Sequence, residues 1–549
     1  MSSVASTILK KAFSMAGATF ASRILGLVRE ILMAAVLGGG TLASAWTFAF
    51  KIPNLFRRIF GEGLLGTVLV PLIAGTLEKQ GREEASRRFS TVFIYTTLLL
   101  SFCCVVVSAA AMIGEHFAVR EHLKLACRIL PLLMPYCIFI CLIGIMTSVL
   151  NATRVFFLPA LLSLLLNLCL IGALLGICPF FTGRSLPVLT ALGGAVLLSG
   201  ILEGGLMLLV MKHQGLMPRW KKAYFRDTGI LKEVWTLALP GLLGALAYQI
   251  SVLTDTLLAS FVSSYAVASL SYSERLVYLP IGVFAVSFGT VSLSEMSHIA
   301  ERKEYKEMIS VLFASLRSLL FVTLPLSVYF FFCAEDVIRA VYCRGAFGEK
   351  AVAETLLALQ YYVLGIPFFA MLKVVLTAFY ARKDMKTPML ISIVSMALNL
   401  VLNLILMQFL RQGGLALATA LSALAHNVIL LYILNGKVSP VPWKSFSGYF
   451  LLLTVLAAGA MLGSLRLVGM AAVPFPAHLE KYLLPLFKGG VFAVLYLAAC
   501  FLFRVDEVKN TVHSILHKIR RNLDGILRCY PSAQKYPCLQ ERSCETGES

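Results

Sequence analysis

Residues 129–150 read ILPLLMPYCIFICLIGIMTSVL, twenty-two positions without one charged side chain. In a helix this stretch is about 33 Å long, which matches the hydrocarbon core of a bilayer. Thirteen further stretches of the same kind surround it, centred near Leu25, Phe50 running on to Pro71, Leu99, Leu165, Leu198, Leu246, Phe284, Leu320, Ile366, Val394, Leu421, Val455 and Val494. The chain therefore reads as all-α, a polytopic membrane protein with about 14 transmembrane helices. Composition agrees: 59% of the 549 residues are apolar, 14% are charged and the mean hydropathy is +0.84. A soluble domain averages about 45–50% apolar and about 25% charged, so that class is excluded. Arg23, Arg29 and Glu30 interrupt the first apolar run, which argues against a cleaved signal peptide. The thirteen cysteines are scattered with no CxxC pair and read as buried filler rather than a disulfide framework or zinc site.

Lysine and arginine exceed aspartate and glutamate by 48 to 28, a net charge of +20. In a soluble chain that excess would raise nucleic acid as a partner; in a membrane chain it reports orientation, and no nucleic-acid partner is expected. With an even number of spans both termini share a side. Arg82, Arg87, Arg88, Lys221, Lys222, Arg302, Lys303, Arg382, Lys383 and Lys386 fall in loops on that side, which carries the clear majority of loop cations. The termini are accordingly expected in the cytoplasm.

Gly66-Thr67 and Glu78-Lys79 recur as Gly289-Thr290 and Glu301-Arg302, and ATRVFFLPALLS (152–163) recurs as ARKDMKTPMLIS (381–392). These echoes suggest a six-span repeat whose copies share one orientation, the arrangement of two-lobed transporters with a binding site between the lobes. The expected organisation is an N-lobe of spans 1–6 (residues 1–222), a C-lobe of spans 7–12 (223–440), two added spans (441–504) and a basic cytoplasmic tail (505–549). In the tail Val505, Val508, Val512, Ile515 and Ile519 recur at helical spacing beside Lys518, Arg520 and Arg521. This describes an amphipathic helix lying either on anionic lipid or on the protein's own loops.

Ionisable groups inside spans are costly and normally face a polar cavity, so they carry the functional signal. Span one holds Arg23, Arg29 and Glu30. Span two, FKIPNLFRRIFGEG (50–63), holds Lys51, Arg57, Arg58 and Glu62, with Pro53, Gly61 and Gly63 predicting a break that must line a cavity. Span eight adds Glu274 and Arg275. Arginine stays charged and presents a planar fork of donors, so Arg23, Arg29, Arg57, Arg58 and Arg275 suit an anion with several oxygens, such as a pyrophosphate. The alternative is that they snorkel, or pair structurally with Glu30, Glu62 and Glu274. Lys373 and Arg317 are the remaining basic residues inside spans. A second polar cluster, Asp255 in span seven, Asn399 and Asn403 in span eleven and Thr419 in span twelve, would coordinate Na⁺, or Asp255 would hold a proton. Interhelical hydrogen bonding accounts for the same residues without an ion. No P-loop, HExxH or GxSxG motif is present, and the eight histidines are scattered. Neither an enzyme nor a bound cofactor is expected.

SRILGLVRE (22–30), AFKIPNLFRRIFGEG (49–63), SERL (273–276) and RKDMKTP (382–388) resemble the MurJ (MviN) lipid II flippases of the multidrug/oligosaccharidyl-lipid/polysaccharide exporter superfamily. The similarity spans about residues 5–505 and leaves out the basic tail. It implies two six-span lobes, two extra spans and no catalysis. It implies transport of undecaprenyl-pyrophosphate disaccharide-pentapeptide (lipid II) from the inner to the outer leaflet of the bacterial cytoplasmic membrane, with membrane lipids and cell-wall synthesis proteins as partners. Carried over residue by residue, it assigns Arg23, Arg29, Arg57 and Arg275 to the substrate cavity, with Arg58 and Glu62 beside them, and a cation to Asp255, Asn399, Asn403 and Thr419. Many members have an acidic residue where this chain has Ser44. The rival within the superfamily is a cation-coupled drug or polysaccharide-lipid exporter, which leaves the arginines unexplained; a membrane transferase would need an acidic or histidine cluster at a membrane face that is not found.

The orientation is open to a direct check. A reporter fused within the loop holding Lys221 and Lys222 is expected to read as cytoplasmic; an external reading contradicts the assignment.

Overall fold

The computed structural model describes residues 24–153, 155, 157–220, 229–471 and 476–508. Among them the chain is helical throughout, with no strand. The helices are α1 (24–37), α2 (Thr41–Phe56), α3 (Leu64–Phe117), α4 (Glu121–Ala152), α5 (Phe157–Gly176), α6 (Ser185–His213), α7 (Gly229–Val262), α8 (Ala266–Glu301), α9 (Tyr305–Phe332), α10 (Ala334–Tyr342), α11 (Glu349–Tyr362), α12 (Ile366–Ala381), α13 (Lys386–Leu410), α14 (Gln412–Lys437), α15 (Trp443–Ala471) and α16 (Ala477–Leu502). All fourteen apolar centres fall on these helices, and ten helical stretches among the described residues are long and apolar enough to cross a bilayer. Large apolar side chains such as Phe102, Val105, Leu209 and Val494 are exposed along the outer faces, as expected where lipid replaces water.

The break expected in span two takes the form of a π-helical turn, Arg57–Gly63, joining α2 to α3. Pro53 lies one turn upstream in α2 and cannot donate to the ladder, and the wider i→i+5 turn absorbs the mismatch. Further on, Gly81 (φ +84°) bends α3 between its two membrane-length halves in a conformation that a side chain would oppose.

α2, α3 and α6 gather around α4, with α5 packed on α6, and α8, α9, α11, α12 and α14 form a second packed group; α15 packs against α16 and α9. Close approach of α4 and α6 depends on Gly200, where a Cβ would stand 2.9 Å from the Tyr136 ring. The two groups are tied firmly at one end, where the α1–α2 turn meets the loop between α10 and α11. Ala346 N donates to Ala35 O at 2.7 Å, and Tyr272 Oη donates to Gly38 O at 2.9 Å. Tyr272 stacks among Tyr342 and Phe347 with ring centroids 4.9 and 5.4 Å away. Ser44, fully buried, donates to Ser264 O at 2.7 Å and accepts from Ala268 N at 3.2 Å. This hydroxyl caps the first turn of α8 across the junction.

After α16 the chain turns at Arg504 and buries Val505 and Val508. Arg317 of α9 pairs with Asp506 at 3.4 Å and Glu507 at 3.3 Å, and its guanidinium lies 4.4 Å from the Tyr449 ring centre. The first residues of the tail thus pack on the protein's own helices; the rest of the amphipathic pattern, and Lys221 and Lys222, lie outside the described residues. In the RKDMKTP motif Asp384 accepts from Thr387 N at 3.0 Å and Thr387 Oγ1 at 2.7 Å, closing the turn into α13. Partial burial pushes its carboxyl up, but these hydrogen bonds, with Arg382 and Lys386 nearby, outweigh it and hold the group below the usual aspartate range.

Gly345 sits at φ +57° with its Cβ position 2.3 Å from Ala35 O. Gly345→Ala is expected to cost about 1–3 kcal/mol and to lower the thermal unfolding midpoint of the purified protein. An unchanged midpoint would contradict the tight junction between the α1–α2 turn and the α10–α11 loop.

Candidate functional site

A cavity of about 600 Å³ lies between the two helix groups, within the range of small-ligand sites. α1 contributes Arg29 and Glu30, α2 contributes Lys51 and Asn54, and the π turn contributes Arg57 and Arg58. From the other side α7 contributes Gln249 and α8 contributes Glu274 and Arg275. Five cationic side chains thus face three carboxyls, the third being Glu203 of α6, so the lining has a cationic excess. Arg57 and Arg58 open the π turn directly after α2 and stand on the cavity wall.

Glu30 is the pivot of this set. Its Oε1 accepts from Arg29 at 2.5 Å and stands 3.4 Å from Arg275, so one carboxylate joins a cation on its own helix to a cation on α8. Cavity lining and structural ion pairing, posed as alternatives from the sequence, hold together for these two arginines. Arg275 keeps more than half of its side chain exposed, so it can take a second anionic partner.

The polar residues of spans seven, eleven and twelve also meet. Asn403 Nδ2 donates to Asp255 Oδ1 at 2.6 Å and to Asn399 Oδ1 at 3.0 Å. Asn399 Nδ2 reaches Ser422 Oγ at 3.4 Å and Thr419 Oγ1 at 3.5 Å. Asn403 Oδ1 is buried with no hydrogen-bond partner. Turned over, that amide would present an oxygen beside those of Asp255 and Asn399, a donor set that fits one small monovalent cation. No group of three or more His, Cys, Asp or Glu side chains among the described residues forms a metal site. Lys51 connects the two clusters: it lines the cavity and its Nζ donates to Thr256 Oγ1, next to Asp255, at 2.9 Å.

Arg29, Arg57, Arg58 and Arg275 therefore come together as expected. Arg23 and the side chain of Glu62 lie outside the described residues. Sequence reading passed over Glu203, although a lone carboxyl in the apolar run of span six, GILEGGLM (200–207), was signal enough; the approach of Lys51 to Thr256 had no sequence signal, because it depends on how two helices meet.

The family model for the lipid II flippase MurJ matches residues 33–476. The chain belongs to the MurJ family. Probable lipid II flippases MurJ of Rhizobium tropici and Bdellovibrio bacteriovorus are 30% and 29% identical to it, over 80% and 84% of this chain and 83% and 88% of theirs. The solved lipid II flippase MurJ in an inward closed conformation superposes with a TM-score of 0.73 at 26% identity, covering 90% of this chain and 99% of that one. An inward-facing multidrug MATE transporter of the MOP superfamily, at 14% identity and a TM-score of 0.62, covers 76% of this chain and 95% of its own, which shows a common fold. MurJ is a family of membrane transporters and not a catalytic one, and this chain, with its many apolar helices, is a multi-pass inner-membrane protein.

Proposed function

We propose that the protein moves lipid II from the inner to the outer leaflet of the cytoplasmic membrane, and that the pyrophosphate rides in the arginine cavity between an N-lobe (1–222) and a C-lobe (223–440). The observation that carries this reading is the convergence of Arg29, Arg57, Arg58 and Arg275 from both helix groups on one cavity with a cationic excess. Arg23 and Glu62 join the set by position in the family's motifs. In the empty cavity Glu30 is the counter-ion of Arg29 and Arg275; two phosphate groups compete with it for both guanidiniums, forming bidentate charge-assisted hydrogen bonds. Loss of the Glu30–Arg275 contact frees α1 from α8, and the lobes then rock about the substrate to expose it on the other side. With both termini in the cytoplasm, the firmly tied end at the α1–α2 turn is the outer gate, and spans 13 and 14 (441–504) stand outside the repeat. No bond is made or broken in the substrate, and the undecaprenyl chain stays in lipid.

Asp255, Asn399, Asn403 and Thr419 would hold Na⁺ as the coupling ion, or Asp255 a proton, with Lys51 beside Thr256 sensing the charge there. A drug exporter is the weaker reading: cationic drugs call for carboxylates, and this lining has more cations than carboxyls.

In cells depleted of their own flippase, Arg57→Ala and Arg275→Ala are each expected to lower the appearance of lipid II in the outer leaflet about tenfold or more, the loss of one strong charge-assisted bond. Normal appearance with both variants contradicts the cavity assignment. Na⁺, but not an equal concentration of choline, is expected to raise the thermal midpoint of the purified wild type and to leave Asp255→Asn unmoved; a wild type indifferent to Na⁺ contradicts the cation site.

A further inference from the structure

Glu203 stands at the middle of α6 on the cavity wall, 2% exposed, in a run otherwise made of apolar residues and glycines. Its Oε1 is sealed from solvent and has no hydrogen-bond partner, and the side chain forms no ion pair among the described residues. Every other carboxyl of the lining has a stated task or a wetter position: Glu30 bridges two arginines, and Glu274 is half-buried beside the exposed Arg275. A charged carboxylate held this way is costly unless a proton or a cation offsets it.

The groups facing Glu203 are few. Tyr136 comes from α4, Cys169 and the Leu166 backbone from α5 and Arg57 from the π turn, while α2 presents Lys51 to the same cavity. Gly200, against which Tyr136 packs, sets the close approach of α4 to α6 one turn before Glu203. Among the described residues Arg57 is thus the cation whose field acts on Glu203 directly, and in the pyrophosphate reading Arg57 belongs to the group that meets the substrate.

We propose that Glu203 is a proton-binding site of the cavity, taking one proton from water when a pyrophosphate engages Arg57 and returning it to water when the pyrophosphate leaves. In the empty cavity the positive field of Arg57 offsets the carboxylate. When two phosphate charges arrive on the arginines, that field reverses, and protonation removes the repulsion between Glu203 and the ligand. Departure of the anion restores the carboxylate as a counter-charge for Arg57, which keeps the cavity from retaining its cargo. The proton-binding role rests on the pyrophosphate reading of the cavity and adds a titrating partner to it.

The test is lipid II affinity of the full-length purified protein as a function of pH. Both phosphates of lipid II are esterified and keep one charge each across this range, so the pyrophosphate itself adds no pH dependence, and the Glu203→Gln comparison separates the protein's part from that of the peptide. Wild-type affinity is expected to fall as pH rises between about 6 and 9, by up to about tenfold per unit where one proton is linked to binding. Glu203→Gln, which keeps the shape but cannot exchange the proton, is expected to bind with an affinity that does not vary with pH. Mixing wild type with lipid II in weakly buffered solution, read with an indicator dye, is expected to show proton uptake, and this needs no variant to fold. Binding by wild type without pH dependence or proton uptake overturns the proton site alone, as does a pH dependence that persists in Glu203→Gln. Failure of wild type to bind lipid II at any pH overturns the cavity reading and the proton site with it.

Discussion

A charged group inside a bilayer must be paired or watered, and for Arg29 and Arg275 that demand is met by one carboxylate. Glu30 holds Arg29 at 2.5 Å and Arg275 at 3.4 Å, and these two cations belong to helices from opposite halves of the molecule. Remove Glu30 and the two guanidiniums lose the carboxylate they share; supply a better anion and the same two guanidiniums are released to it. The pair therefore serves as a structural tie when the cavity is empty and as a receptor when it is filled. Ion pairs withdrawn from water contribute little net stability, because desolvation offsets their attraction, which makes specificity and switching the better explanation for keeping one here.

The tie works because the rest of the structure brings the partners to it. The start of the π turn sets Arg57 and Arg58 on the wall; the α1–α2 turn, locked by Ala35, Gly38 and Ser44 to the loop and helix of the other half, places Glu30 opposite Arg275. Ser44 shows how a departure from the family pattern is accommodated. A neutral hydroxyl caps α8 there, so closure at this end depends on hydrogen bonds and aromatic packing, with little dependence on charge. Lys51, bonded to Thr256, joins the anion cavity physically to the Asp255 cluster, so a change of charge in one is felt in the other.

Helix positions were legible because lipid imposes a length and an apolar composition on each crossing, and the fourteen apolar centres all fall on helices. The arginines of the cavity were legible for the same reason, since each stands where charge is expensive. Pro53 with Gly61 and Gly63 announced a break in span two, though not its π form, which follows from how the ladder closes around a missing donor. Glu203 was legible and missed. Contacts between halves, such as Lys51 with Thr256 and Arg317 with the start of the tail, were not legible, because periodicity fixes which face of a helix is buried and says nothing about which distant helix covers it. Arg317, listed from the sequence among cations inside spans, turns out to hold the chain's end and takes no part in the cavity.

The central claim is that the arginine cavity recognises two linked phosphates. It is tested most directly by comparing the affinity of the purified protein for undecaprenyl pyrophosphate and for undecaprenyl monophosphate, lipids that share one chain. The account predicts that the pyrophosphate binds at least about tenfold more tightly and that Arg275→Ala removes most of the difference. Equal affinity for the two lipids would contradict it.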